Sequence, residues 1–234
     1  MTSEVAFSGF SRATVKFLKD LKKHNDREWF KAHKDVYTSQ VIAPAQALVT
    51  DMGERLKEIA PGIIAVPKHN RSIFRIYRDT RFSHDKSPYK THLGIFLWEG
   101  VRPRMECPGF YFHLEPPNLM LGMGFYMFPR KVLEHYRNAV VDPEHGAELT
   151  EILGHLEGLE GYTLGGKHYK RIPPGFDAEH PNAELLLHNG LYAGTEGPIP
   201  EDLYSERLID YCMERFTPLA GLHRWLVGLN SRVF

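Results

Sequence analysis

The chain has 234 residues, 42% hydrophobic and 25% charged, which is enough to bury a sizeable core and ordinary for a globular protein. Lys+Arg and Asp+Glu both number 29, which argues against a uniformly basic nucleic-acid binder. The balance hides an asymmetry, because Lys68 to His92 carries seven Lys/Arg against two Asp and the rest of the chain is acidic by the same surplus of five.

Ser11 is a candidate N-cap, followed by Thr14, Phe17, Leu18 and Leu21 at helical spacing. "HNDREWFKAH" offers a second cap at Asn25 or Asp26, with Phe30, His33 and Tyr37 along one stripe. Pro44 suits the first turn of a third helix, whose stripe of Leu48, Met52, Leu56 and Ile59 closes at "APG". The period then changes. "SIFRIYRD", "HLGIFLWE", "GFYFHLE" and "LMLGMGFYMF" read as four consecutive strands, with Pro116, Pro117 and Asn118 turning the third into the fourth. Helical spacing returns after Pro129 and again from Pro143 to Leu156. "GYTLGGKHYKRIPPGFD" is turn-rich with one short strand pair, and short helices are expected over 182–188, 201–215 and 219–229. The pattern predicts one α+β domain over 1–234. Its centre is an antiparallel β-meander, with N-terminal and C-terminal helices packed mainly on one sheet face.

A turn at Pro116-Pro117 sets a register. Leu114 then faces Leu119, Phe112 faces Leu121, Tyr111 faces Gly122 and Gly109 faces Gly124. One face becomes densely apolar, while the other carries Tyr111 and His113 beside glycines. Such glycines either leave room for a ligand or let another element pack closely. His92 and Gly94 share a face of the preceding strand, and Arg75 and Tyr77 share one of theirs. These residues are expected to form a polar face with "RDTRFSHDKSPYK" arching over one end.

Arg75, Arg78, Arg81, Lys86 and Lys90 follow at intervals of three to five residues. Guanidinium groups suit bidentate contacts to carboxylate or phosphate. Asp79 and Asp85 would orient these cations, and Tyr77, Tyr89, Tyr111 and His92 would line the ligand, an anionic or phosphorylated small molecule. Asp79 and His113 are the proton-transfer candidates if a reaction occurs. The competing reading is a basic loop whose charges pair across the fold, or which docks an acidic partner or a nucleic-acid backbone. The spacing is not that of a membrane helix.

Other motifs are set aside. "GYTLGGKH" departs from a phosphate-binding loop because His168 replaces the magnesium-holding Ser/Thr and no helix can follow at "YKRIPPG". There is no HExxH, GxSxG or paired CxxC. His92 and His113 offer two metal ligands, but no carboxylate partner is evident, so no metal set is assigned. Cys107 and Cys212 read as reduced structural thiols. "MTSEVAFSGFSRATVKF" lacks the pattern of a secretory leader, and no apolar run approaches ~20 residues, so a cytoplasmic location is expected. Neither a cofactor nor an oligomeric state can be read.

"NDREWFKAHKDVY", "SIFRIYRDTRFSHDKSPYKTH", "GFYFHLEP" and "KRIPPGF" together resemble the family grouped as domain of unknown function 2461, over roughly residues 7–230. The resemblance implies a stand-alone cytosolic α+β protein and carries over no catalytic residue. Its central motif includes Arg75, Arg78, Asp79, Arg81, Phe82, Asp85, Lys86, Pro88, Tyr89 and Lys90.

Overall fold

Ser11 caps α1 (Arg12–Lys23) by accepting the Thr14 N–H at 3.3 Å, which turns Val15, Phe17, Leu18 and Leu21 into the core. Asp26 caps α2 (Arg27–Ala32), accepting the N–H groups of Glu28 and Trp29 at 3.0 and 2.8 Å. A short α3 (Lys34–Val36) and a π-helical stretch Tyr37–Ile42 lead directly into α4 (Ala43–Leu56), with proline in its first turn. The computed structural model describes residues 6–232; the first five residues of the amino-terminal segment lie outside them.

Six strands form an antiparallel sheet: β1 (Ile63–Ile64), β2 (Leu93–Glu99), β3 (Gly109–Glu115), β4 (Asn118–Phe125), β5 (Tyr162–Lys167) and β6 (His188–Pro198). Their order is β1-β2-β3-β4-β6-β5. The β2–β4 meander has the register that the Pro116-Pro117 turn requires, with Tyr111 opposite Gly122 and Gly109 opposite Gly124. Helices α5 (Arg130–Val141), α6 (Pro143–Glu157), α7 (Leu208–Phe216) and α8 (Ala220–Ser231) complete the chain. The fold is α+β. α4 packs on β1 and β2, and α7 and α8 pack on β4. All bury one face of the sheet, which presents Ile95, Leu97, Phe110, Phe112, Leu114, Leu121 and Met123.

Two segments depart from expectation. From Phe74 to Asp79 burial alternates as expected, with Phe74, Ile76 and Arg78 less exposed than Arg75, Tyr77 and Asp79, but residues 72–79 form no regular strand. β1 already occupies one end of the β2 edge, so only a single bridge, Ile73 to Ile95, fits beside it. The chain then turns back on itself through a second bridge, Tyr77 to Tyr89. Residues 188–198 form a full inner strand, β6, which had not been expected. Its three glycines weaken the strand signature in sequence, yet Gly190 and Gly194 allow neighbouring backbones to approach. "YTLGGK" is β5, an edge strand, so the loop resembling a phosphate cradle leads into no helix.

Candidate functional site

The second face of the sheet is uneven. Near β1 it carries a small apolar cluster, Phe96, Trp98 and Cys107, with Phe74 and Tyr111 packed against it. Farther along it carries His113 and glycines. Gly122 is buried, and a Cβ there would meet sheet atoms first, Ala193 O at 3.3 Å and Met120 Sδ at 3.8 Å. Gly94 has a different role. A Cβ there would lie 2.9 Å from the Tyr111 hydroxyl and 3.2 Å from the Phe74 ring, so the glycine is what lets both side chains reach this face.

The connection 72–90 is fastened to the helical layer by Asn25. Its amide donates to Tyr89 O at 2.9 Å and accepts the Tyr89 N–H at 3.0 Å. Arg78 N–H to Pro88 O and Lys90 N–H to Ile76 O, at 2.9 and 2.7 Å, close the hairpin on its inner side. Tyr89 therefore points its own backbone groups outward, and one asparagine satisfies both.

The hairpin divides the cations into two sets. Arg81 forms a bidentate pair with Asp79, with bonds of 3.0 and 2.6 Å, at an exposed tip. This pairing holds the Asp79 carboxyl down at about 2. Arg78 pairs with Asp85, which also accepts from the Ser87 hydroxyl and N–H and is held well below the usual carboxylate range, chiefly by Ser87. Lys86 donates to Thr80 O at 2.9 Å. Tyr89 is buried with its ring stacked on Phe30 at 4.3 Å, and Tyr77 packs beside it, on the helical side. None of these seven predicted site residues joins the open face of the sheet.

Arg75 and Lys90 form the second set, and the β2–β3 connection adds Arg104. Arg104 and Lys90 lie 4.3 and 5.3 Å from the centroid of the Phe74 ring. No ion pair among the described residues includes Arg75, Lys90 or Arg104. The nearest acid in sequence to Arg104, Glu106, is engaged by Arg102 at 2.6 Å. Arg104 Nη1 is buried without a hydrogen-bond partner. Burial, with Arg75 and Arg104 nearby, pulls the Lys90 ammonium below its ordinary value. Burial and Arg71 pull the Arg104 guanidinium down as well. Lys90 and Arg104 are half-buried with the exposed Arg75 nearby, and like charges gathered in a partly dehydrated place raise one another's cost, so this cluster favours an added anion.

From Phe74 the site continues along the sheet. Phe74 meets Tyr111 edge-on at 5.9 Å, and the Tyr111 hydroxyl lies 2.9 Å from His113 Nδ1. His92 and His113 have ring centroids 4.2 Å apart. His113 Nε2 lies 3.4 Å from Glu115 Oε2, and the Thr91 hydroxyl donates to Glu115 Oε1 at 3.0 Å. Burial, then His113, lowers the His92 imidazole to about 4, so it is neutral at neutral pH. Burial raises the Tyr111 phenol to about 12. Burial would raise the Glu115 carboxyl, but hydrogen bonds from His113 and Thr91 and the histidine charges outweigh it and lower it.

The profile described as "Conserved hypothetical protein (DUF2461)" matches residues 13–225. The chain belongs to this family. In this DUF2461 chain the match spans every residue from Phe74 to Glu115 that builds the site. A comparison with curated proteins finds no match. Arg104, Phe74 and Glu115 escaped the sequence reading. For Glu115 a signal existed, since His113 and Glu115 are two apart on a strand and share a face. For Arg104 there was none, because its loop reaches the cluster only through the fold. No helix among the described residues is long and apolar enough to cross a membrane.

Proposed function

We propose that this protein binds, and acts as receptor or enzyme for, an anionic small molecule bearing a phosphoryl or carboxylate group, held by Arg75, Lys90 and Arg104 around Phe74. The observation that carries the reading is Arg104, half-buried over an aromatic ring, with a buried nitrogen lacking any hydrogen-bond partner and no carboxylate beside it. A buried polar group left unpaired in a folded chain costs about 1–3 kcal/mol, and at Arg104, where two further cations and an aromatic ring surround it, a bound anion accounts for that cost. A guanidinium and an ammonium around a ring also suit a ligand with a flat portion, such as a nucleotide base. Tyr111 and His113 adjoin the cluster, and His113 is the remaining proton-transfer candidate, because Asp79 is committed to Arg81 at the loop tip.

The test is a thermal-shift screen of the full chain against inorganic phosphate, pyrophosphate, nucleotides, sugar phosphates and dicarboxylates. A ligand at ~100 times its Kd stabilises by about 2.7 kcal/mol. At 2–4 °C per kcal/mol for a chain this size, the midpoint rises by roughly 5–11 °C. Arg104→Ala and Lys90→Ala should each remove most of the shift, whereas Arg81→Ala should leave it intact. No shift with any anion, or a shift indifferent to Arg104→Ala, would overturn the reading. Binding only to nucleic acid, with affinity falling steeply as salt rises, would instead favour a backbone-docking protein.

A further inference from the structure

We infer that His92, His113 and Glu115 form a site for one divalent transition-metal ion of the zinc or cobalt type on the open face of the sheet. The inference does not depend on the anion-binding reading, because the metal alone is the probe.

Strand register makes the site. His113 and Glu115 alternate onto the same face of β3. Leu93 pairs with Leu114, so His92, one residue earlier, comes opposite Glu115. One ligand atom from each of the three lies within 4.8 Å of the other two. Tetrahedral coordination at zinc–nitrogen distances near 2.05 Å requires donor atoms about 3.3 Å apart. His113 Nε2 and Glu115 Oε2 already stand at 3.4 Å. His92 then has to close at most about 1.5 Å, a side-chain adjustment.

The donor set selects the ion. Two imidazoles and one carboxylate suit zinc, cobalt, nickel or iron(II), whereas calcium and magnesium prefer oxygen throughout. Three protein donors also leave a coordination position for water or ligand, the pattern of reactive rather than closed structural sites.

The surrounding hydrogen bonds have the form that metal ligands need. The Thr91 hydroxyl, at 3.0 Å, and the Lys22 ammonium, at 3.8 Å, both hold Glu115 Oε1, so Oε2, which faces His113 Nε2, is the oxygen that would turn to an ion. The Tyr111 hydroxyl at His113 Nδ1 can donate or accept. Without metal, the hydroxyl donates to Nδ1 and the Nε2–H donates to Glu115. With metal, Nδ1–H donates to the Tyr111 oxygen and the Nε2 lone pair faces the ion.

The experiment titrates chelator-treated full-length protein with CoCl2, then displaces it with ZnCl2. The expected result is one equivalent of cobalt with the visible absorption of a low-coordinate ion, bleached by zinc. Long-range proton–nitrogen NMR of the wild-type zinc form should show ring-nitrogen shifts confined to His92 and His113 among the thirteen histidines. His92→Gln and Glu115→Gln, checked for fold by circular dichroism and urea unfolding, should each weaken binding by about tenfold or more. Failure to bind below millimolar metal, shifts at other histidines, or affinity unchanged in both variants would overturn the site. If a variant does not fold, the wild-type NMR pattern decides.

Discussion

Replacing Asn25 by Ala removes both hydrogen bonds that fasten the cationic hairpin to the helical layer. The Tyr89 N–H and C=O, 3.0 and 2.9 Å from the Asn25 amide, point away from the hairpin's own bonds, so neither finds a protein partner after the change. Two neutral hydrogen bonds contribute about 1 kcal/mol each, and partly buried orphan groups add to the loss, giving roughly 2–3 kcal/mol. At 2–4 °C per kcal/mol the midpoint falls by about 4–12 °C. Asn25→Asp should do no better than Ala, because a carboxylate oxygen would then oppose the Tyr89 carbonyl, acceptor against acceptor. Urea unfolding supplies the free energies, and amide hydrogen exchange at Tyr89 reports the local release. A loss under about 0.5 kcal/mol with Tyr89 protection unchanged would refute the role given to Asn25.

Gly124→Ala should destabilise by at least about 3 kcal/mol, measured by urea unfolding, because the backbone there has φ +141° and a Cβ would sit 2.2 Å from Leu191 O. Gly154→Ala, on the exposed side of the last turn of α6 where a Cβ meets nothing within 4 Å, should instead stabilise by about 0.5 kcal/mol; loss of stability there would contradict the helix assignment. His223 is buried, and its Nε2 lies 2.8 Å from Glu99 Oε2 while Nδ1 has no partner. Burial lowers its pKa more than Glu99 raises it, with Arg224 adding to the lowering. The folded state thus binds this proton less readily than the unfolded chain. The contribution of His223 is complete above the ordinary histidine value near 6.5 and declines as pH falls through and below it. Urea unfolding between pH 8 and pH 5 should show a shallower decline for His223→Gln, which keeps the donor to Glu99; an unaltered slope would assign the decline elsewhere. Asp79→Ala, which breaks an exposed pair at the loop tip, should leave the urea-unfolding midpoint unchanged; a clear fall would contradict the pair's exposure.

Much of the sheet was legible because period-two alternation and a short turn fix register together. Pro116-Pro117 leaves one way to align β3 with β4, and Tyr111 and His113 then have to share a face with Gly122 and Gly124. Helix starts were legible wherever a cap preceded an apolar stripe, as at Ser11 and Asp26. β6 was hidden because its glycines serve close backbone approach and give no side-chain pattern. The cationic segment was legible as a charge surplus, whereas its division was not. Arg78 and Arg81 sit two to seven residues from the aspartates that neutralise them, while Arg75 and Lys90 find a third cation from a loop beyond β2. Charge counting sees the sum, and only the chain path decides which charges meet an acid.

The central claim is that the cluster around Phe74 holds an oxyanion, and anomalous diffraction from crystals soaked in selenate tests it most directly. The account predicts an anomalous peak within hydrogen-bond reach of Arg104 Nη1 and Lys90 Nζ, absent in crystals of Arg104→Ala. Selenate sites that all lie elsewhere, with Arg104 Nη1 bonded to a protein oxygen, would contradict it.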